Sequence, residues 1–273
     1  MWPRTRRSSR ATLGVALLPA WVAVGRVGAT ARALQSTRDD DPGTDAGWAV
    51  TTAFRLLDQI GIRPTDSMAC IVSNRFAAYT SIPWTDRMLS AGQPQSVARE
   101  HLSLIDAALA ASGEIRVEDA PYGEPRIACA MDGELLRALR EGCATLGVRL
   151  RSCMPLLSAC TIAASERSRA GALFVGCMEQ EGLAYALAAN GRCRSVGSEW
   201  LPNASRSSAH AALRRLRLRQ IDWPDGVEEL FFDAATGDFV NDSTPVALAT
   251  GPHDHGTSDR ADAWVRFATG SAR

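Results

Sequence analysis

The stretch VEDAPYGEPRIACAMDGELLRALREGCATLGVRLRSCMPLL, residues 117–157, carries the clearest structural signals in the chain. Proline and glycine in its first part mark a turn between two short apolar runs. Asp132 is a preferred N-cap for the helix that follows, and Gly147 suits the position just after that helix. With the adjoining residues, the stretch predicts two strands, a helix, a strand and a helix: 114–119, 126–131, 133–146, 148–153 and 155–165.

The preceding stretch IVSNRFAAYTSIPW, residues 71–84, contains two β-favouring runs. We predict a strand pair over 67–73 and 76–82, with a bend at Ser73-Asn74-Arg75 and Trp84 anchoring the exit. Apolar residues at helical spacing lie on both sides of it. They predict a helix that ends before Gly61 and a second helix over 96–111.

The chain after residue 170 is richer in strands. The pair Asn190-Gly191 between apolar runs is a strong hairpin signal. Residues 241–273 lack hydrophobic periodicity, which predicts a mostly disordered tail. A short fold-back at AWVRFA within this tail is an open alternative. The predicted elements between residue 170 and the tail are strands at 172–177, 183–189, 192–196 and 228–232, and a helix at 205–219.

Composition excludes several classes of function. Thirty basic and thirty acidic residues cancel, so no overall charge favours binding to nucleic acid or anionic lipid. Every basic residue other than histidine is arginine, which excludes a Schiff-base lysine or a Walker-type lysine. The seven cysteines show no zinc-site spacing and mostly lie in apolar runs, which favours buried thiols in a reducing compartment.

The N-terminal residues allow two interpretations. A basic segment, 1–10, precedes the apolar stretch 11–25, and Ala31-Arg32-Ala33 imitates a signal-peptidase site, which would predict export. Alternatively, Thr12–Leu17 and Trp21–Val27 form a β-hairpin around Leu18-Pro19-Ala20. No other apolar stretch reaches the roughly 18–20 residues of a membrane-spanning helix.

The predicted strands and helices occur in a similar mixed order in two successive parts of the chain. This repetition predicts an α/β protein with two lobes. The predicted organisation is a flexible N-terminus, a first lobe, a second lobe and the disordered tail: 1–10, 11–112, 113–240 and 241–273.

This arrangement resembles the actin-like (ribonuclease H-like) ATPase superfamily. Within it, the chain looks most like the PilM-type pilus-assembly proteins and the cytoplasmic domain of the L component of type II secretion. The resemblance is carried by 71–84, 117–157 and GALFVGCMEQEGLAYALAANGR, residues 171–192, with 11–27 fitting the first hairpin. It implies a cytoplasmic protein, peripheral at the inner membrane.

Active members of this superfamily hold nucleotide phosphates and Mg²⁺ on two hairpins. The aspartate of the first hairpin corresponds to Ala16 here, and its turn glycine corresponds to Leu18. In the second hairpin Gly176 remains, but the carboxylate position carries Phe174 or Val175. The resemblance therefore implies degenerate loops, with no catalytic residue, cofactor or ATPase activity.

Other candidate sites have weaker support. Glu179 and Glu181 imitate a metal site, but a solvated turn fits them better. The ligand-rich His253-Asp254-His255 lies in the predicted tail, without a preorganised third ligand. The arginines from Arg214 to Arg219 fit a solvated helix face better than a nucleic-acid patch, because acidic residues follow at once. No metal site is predicted.

The sequence thus favours a non-catalytic scaffold of a type IV pilus or type II-like secretion assembly. Its expected partner is an inner-membrane protein, bound through that protein's cytoplasmic segment. Asn74, Arg75 and Trp84 are the candidate contacts, and a homo-oligomer is left open. The alternatives are an active actin-like ATPase or sugar-kinase relative, and an exported protein of unknown role.

Overall fold

The computed structural model describes residues 12–18, 20–27, 46–63, 65–89, 92–201, 205–219, 223–240, 264–265 and 267–269, and the backbone of 33–37. The strands are β1 Leu13–Leu17, β2 Trp21–Arg26, β3 Ala33–Thr37, β4 Ser67–Val72, β5 Ala77–Ile82, β6 Glu114–Val117, β7 Arg126–Met131, β8 Arg149–Pro155, β9 Ala172–Glu179, β10 Gly182–Ala189, β11 Arg192–Trp200, β12 Glu228–Asp233 and β13 Asp238–Val240. The helices are α1 Ala46–Ile60, α2 Gln93–Ser103, α3 Ala107–Ser112, α4 Gly133–Thr145, α5 Leu156–Arg167 and α6 Arg206–Arg219, with 3-10 turns at Asn74–Phe76 and Asp86–Leu89.

The first five-stranded sheet has the strand order β3-β2-β1-β4-β8. Strand β1 pairs antiparallel with β2 and parallel with β4, and β4 pairs parallel with β8. The structure therefore pairs β1 with β2 and places β1 at the centre of this sheet. One face of the sheet packs against α1 and α4 in a cluster that includes Leu13, Leu57 and Leu139.

The second five-stranded sheet has the order β11-β10-β9-β12-β13 and repeats the first three pairings of the first sheet, but its last pair, β12 with β13, is antiparallel where β4 and β8 are parallel. Its central strand β9 pairs antiparallel with β10 and parallel with β12. Helix α6 packs on one face, where Leu213 and Leu216 contact Phe174 and Phe231. As the sequence predicts, Asn190 and Gly191 form a tight turn, and both have positive φ, 54° and 73°.

A third sheet, of three strands in the order β5-β7-β6, packs against α2 and α3. The sequence predicts one helix over 96–111, but the structure divides it into α2 and α3. Asp106 starts α3, because its side chain accepts a hydrogen bond from the Leu109 N–H. Leu104 and Ile105 lie in the break and are exposed rather than buried.

The described chain forms two compact units. Unit A contains the described residues of 12–77, 131–159 and 264–269, and unit B contains those of 78–130 and 160–240. Each unit draws on separate stretches of the chain, whereas the sequence suggests contiguous lobes over 11–112 and 113–240. The division of the chain into those lobes stays a prediction.

The predicted strand pair in 71–84 is wrong. Strand β4 lies in the first five-stranded sheet, whereas β5 lies in the three-stranded sheet. Between these two strands, the Asn74 Oδ1 accepts a hydrogen bond from the Leu157 N–H, 2.9 Å away at the start of α5. The expected bend is thus a 3-10 turn that caps a helix far along the chain.

Part of the C-terminal stretch is ordered, although the sequence suggests a mostly disordered tail over 241–273. Residues 264–265 and 267–268 are helical, which agrees with the fold-back at AWVRFA. Trp264 is fully buried and packs edge-on against Trp21, with ring centroids 5.5 Å apart. The predicted flexible segment 1–10 and the rest of the predicted tail lie outside the described residues.

The 117–157 stretch folds largely as predicted. The Asp132 side chain accepts hydrogen bonds from the Glu134 and Leu135 N–H groups, and Gly147 has φ of +67°. Within α4, Gly142 lies against Phe54 of α1. A Cβ atom at position 142 would lie 2.2 Å from Cε2 of that ring. The glycine therefore allows α1 and α4 to approach closely.

We predict that Gly142→Ala destabilises the protein, although alanine favours a helix by about 1 kcal/mol over glycine. The new methyl group overlaps the Phe54 ring, and overpacking of this kind costs about 1–3 kcal/mol. Urea unfolding measures the change. Gly171→Ala, outside the helices, is the control for an added methyl group without overlap, since nothing lies within 4 Å of its Cβ. Equal midpoints for the two variants would contradict the packing argument.

Candidate functional site

The first candidate phosphate loop is the β1–β2 hairpin, and its key positions are buried and apolar. Ala16 is 1% exposed and pairs with Ala23 across the hairpin, while Leu18 is 5% exposed. The Leu18 N–H donates to the Trp21 carbonyl at 3.0 Å, which closes the turn. These residues offer neither a carboxylate for Mg²⁺ nor an open glycine backbone for phosphate.

The face of β1 that carries Ala16 is covered by another part of the chain. Alternate residues of a strand share a face, so Gly14 and Ala16 point the same way. A Cβ atom at Gly14 would lie 2.8 Å from the carbonyl oxygen of Val265 and 3.1 Å from Cγ2 of Thr269. Glycine therefore lets the C-terminal residues lie directly on the strand, beside the Trp21–Trp264 contact.

The second candidate loop, in β9, is also part of a packed core. Phe174 and Val175 are fully buried. A Cβ atom at Gly176 would lie 2.6 Å from Cδ1 of Phe231 and 3.1 Å from Cδ1 of Leu183. The surviving glycine therefore makes room for an aromatic ring, which gives it a structural role.

The three predicted partner contacts fall in two different units. Asn74 and Arg75 belong to unit A, and Trp84 belongs to unit B. Asn74 caps α5, and the Arg75 N–H donates to the Ser73 hydroxyl at 3.0 Å, so both stabilise the local turn. Trp84 is half-buried, and its ring lies 4.7 Å from that of Tyr122.

Asp66 is a carboxylate whose pKa is strongly lowered. Arg26 donates two hydrogen bonds to it, at 2.7 and 2.6 Å. The Thr12 hydroxyl and the Arg63 N–H donate to it as well, at 3.0 and 2.8 Å. The hydrogen bonds from Arg26 do most to lower the pKa of Asp66 to about 2, and burial opposes them.

A strongly shifted pKa often marks a catalytic group, but this carboxylate is fully engaged. Both of its oxygens accept hydrogen bonds from the protein, and Arg26 also donates to the Gly61 carbonyl at 2.7 Å. The network joins the end of β2, the end of α1 and the start of β4. We therefore interpret Asp66 as a structural residue.

The cysteines behave as buried hydrophobic residues, as the sequence predicts. All seven are free, and five are buried. Burial raises the pKa of Cys129 and of Cys193 to about 12, and that of Cys143 to about 11. These thiols stay protonated near neutral pH, so they are poor nucleophiles.

Most arginines on the exposed side of α6 are paired with acidic residues. Arg215 and Arg219 contact Glu199 at 2.7 and 3.5 Å, and Arg217 pairs with Glu229. This pairing favours the solvated helix face over a nucleic-acid patch.

Glu179 ends β9, and Glu181 lies in the turn before β10. Within the part of the chain that the structure describes, no group of three or more histidine, cysteine, aspartate or glutamate side chains is placed to hold a metal. The His253-Asp254-His255 stretch lies outside the described residues. None of the helices described here is long and apolar enough to cross a membrane.

No family model matches the chain. No curated protein matches it either. Solved structures, by contrast, match over most of its length. A protein of unknown function from Bacteroides thetaiotaomicron, with an actin-like ATPase fold, gives a TM-score of 0.54 at 9% identity and covers 82% of each chain.

Two further similarities come from secretion and pilus proteins. The cytoplasmic domain of EpsL, an inner-membrane component of the type II secretion system of Vibrio cholerae, gives a TM-score of 0.50 at 11% identity. The match covers 96% of this chain and 95% of that domain. The PilM–PilN type IV pilus biogenesis complex gives a TM-score of 0.46 at 12% identity, and the match covers 76% of this chain and 66% of that chain.

These similarities and the repeated sheet topology define the class of protein. The chain has an α/β, actin-like (ribonuclease H-like) fold with mixed sheets. At these identities the structural neighbours show the fold alone. The resemblance inferred from the sequence is thus confirmed at the level of the fold.

We predict that Asp66 makes stability depend on pH in acid. Its folded pKa of about 2 lies below the ordinary 3.8, so its contribution is complete above about pH 4 and is lost as the pH falls toward 2. The difference corresponds to about 2 kcal/mol. Urea unfolding at several pH values should show this loss in the wild type and a much smaller one in Asp66→Asn.

Asp58→Asn, at an exposed position of α1, provides the control substitution. An unchanged acid dependence in Asp66→Asn would contradict the proposed network.

Proposed function

We propose that this chain is a non-catalytic, actin-like scaffold of a type IV pilus or type II-like secretion assembly platform. In this proposal it binds the cytoplasmic segment of an inner-membrane partner. The observation that carries the proposal is the burial of Ala16, Leu18 and Gly176 in apolar cores. The fold is retained, while the positions that would bind phosphate serve packing.

The chemistry of phosphoryl transfer supports the absence of catalysis. The enzyme must position metal ions and stabilise the charge that develops on the transferred group. A carboxylate that orients Mg²⁺ is therefore essential, and alanine or phenylalanine supplies no ligand. Removing preorganised charge stabilisation removes what is usually the largest contribution to catalysis. An active ATPase or sugar kinase would need ligands from elsewhere in the chain.

The choice of partner follows from the structural neighbour that covers nearly the whole chain. EpsL is described as an inner-membrane component, and the neighbour is its cytoplasmic domain. A chain with this fold and without phosphate ligands fits a similar platform, located in the cytoplasm at the inner membrane.

The position of β1 argues against the exported alternative. Cleavage after Ala33 would remove β1 and β2, and β1 pairs with both β2 and β4 at the centre of its sheet. The remaining chain would lose the Leu13, Val15 and Leu17 side chains from its main apolar cluster. This pairing supports a retained N-terminal hairpin rather than a cleaved signal peptide.

Affinity purification of the tagged full-length chain from detergent-solubilised cells tests the proposal. We expect an inner-membrane pilus or secretion protein to co-purify in near-stoichiometric amount, with an untagged strain as the control. A chain recovered without any such partner would contradict the scaffold role. Mass spectrometry of the same material should detect peptides from residues 11–33, and a mature N-terminus just after Ala33 would establish export instead.

A further inference from the structure

Three sulfur-containing side chains meet within unit A, on the sheet face that packs against α1 and α4. Cys70 of β4 and Cys153 of β8 are register partners in neighbouring parallel strands, so their side chains lie on the same face. Met131 ends β7, and its Sδ lies 3.9 Å from the Cys153 Sγ. All three residues belong to the main apolar cluster or pack against it. We call them the sulfur cluster.

The two thiols of the sulfur cluster also interact with each other. A hydrogen bond between the Cys70 and Cys153 side chains, together with burial, raises the pKa of Cys70. Cys153 therefore contacts a thiol as well as the thioether of Met131. A metal ion that displaced the thiol protons would find three sulfur donors around one point.

The spacing of the sulfur atoms suits a shared metal ion. Bonds between first-row metal ions and sulfur are about 2.3 Å long, so two sulfur atoms on one ion lie about 3.8–4.0 Å apart at tetrahedral or trigonal angles. The distance between Cys153 Sγ and Met131 Sδ is 3.9 Å. These two sulfur atoms therefore need almost no movement to bind one ion.

One member of the sulfur cluster reaches the surface. Cys70 is 1% exposed and Met131 is 9% exposed, whereas Cys153 is half-buried. Its strand, β8, is the last in the order of the first sheet. An ion from solution would therefore bind the Cys153 sulfur first and reach the two buried sulfur atoms through it.

The ligand types select a soft cation. Thiolate and thioether ligands favour Cu(I), whereas Mg²⁺ and Ca²⁺ prefer oxygen ligands and structural Zn²⁺ takes four cysteine, histidine or carboxylate ligands. Across the described ranges of the chain, no three histidine, cysteine or acidic side chains are grouped to hold a metal. The thioether of Met131 is thus the ligand that completes a site here, and a thioether suits Cu(I) better than Zn²⁺.

Apolar packing is the simplest alternative role for these residues. Packing requires an apolar side chain of suitable volume at each position, and Met131→Leu preserves that volume. Metal binding requires the sulfur atom itself. A substitution that keeps the volume and removes the donor therefore separates the two roles.

We propose that Cys70, Cys153 and Met131 form a binding site for Cu(I). The two cysteines bind as thiolates and release their protons to the solvent, and Met131 binds through its neutral thioether. The copper stays Cu(I) throughout, so no electron is transferred. The site lies within unit A, uses neither phosphate-loop position and does not depend on the proposed function.

Competition with the chelator bicinchoninate tests the site, in anaerobic buffer with ascorbate as the reductant. The full-length chain is titrated into the coloured Cu(I) complex of the chelator, and the loss of colour measures the Cu(I) that transfers to the protein. We expect one Cu(I) per chain and an affinity that rises with pH, because protons leave on binding. Zn²⁺ is the comparison ion and should not displace the bound Cu(I).

Substitutions identify the ligands. Loss of a group that only supports a metal ligand costs about 10–100-fold in metal affinity, so loss of a ligand should cost at least as much. We therefore expect Cys153→Ser to weaken Cu(I) binding by about a hundredfold or more, and Met131→Leu by at least about tenfold. The matched controls are Cys129→Ser, at the other half-buried cysteine, and Met154→Leu, beside Cys153 in β8. Both controls should keep the wild-type affinity.

A second pair of thiols makes the test specific. Cys160 Sγ and Cys177 Sγ lie 3.7 Å apart in unit B. Cu(I) bound by that pair would remain in Cys153→Ser and in Met131→Leu, and this result would contradict the proposed site. No transfer of Cu(I) from the chelator would contradict it as well. Urea unfolding verifies that each variant is folded, and Met131→Leu decides the matter if Cys153→Ser does not fold.

Discussion

Each five-stranded sheet depends on a central strand that is buried on both faces. In the first sheet every residue of β1 is buried, and in the second the same holds for β9 up to its last residue. A carboxylate in such a strand is unfavourable unless a metal ion or a cation neutralises it. Apolar residues at Ala16 and Phe174, the positions that the resemblance assigns to the phosphate loops, satisfy this constraint. Asp66 shows the contrasting case, since Arg26 compensates its burial.

Local signals in the sequence predict many elements correctly. Asp132 and Gly147 bound a helix through contacts with its own first and last turns, and Asn190-Gly191 forms a turn within one hairpin. Errors arise where distant residues decide the structure. The bend at Asn74 is set by α5, 83 residues away, so no local pattern reveals that β4 and β5 enter different sheets. The short β3 is too polar to be recognised as a strand.

For the candidate sites, the sequence reveals which residue types occupy the loop positions but not which distant residues contact them. The apolar residues at the two phosphate-loop positions are visible in the sequence, once the resemblance supplies the alignment. The reason for Gly14 is not visible, because the C-terminal residues that cover it are about 250 positions away. The sequence marks Tyr122 only as part of a turn. Its contact with Trp84 and the ion pair of Glu124 emerge when the chain folds.

Thermal unfolding with ATP, in the presence and absence of Mg²⁺, tests the central claim that both hairpins serve the core rather than phosphate binding. A site with a Kd of about 10 μM would gain about 2.7 kcal/mol at 1 mM ATP. For a chain of this size that gain raises Tm by roughly 5–10 °C. If both hairpins serve the core, we expect a change in Tm below about 1 °C with or without Mg²⁺. A Mg²⁺-dependent rise of several degrees would contradict it.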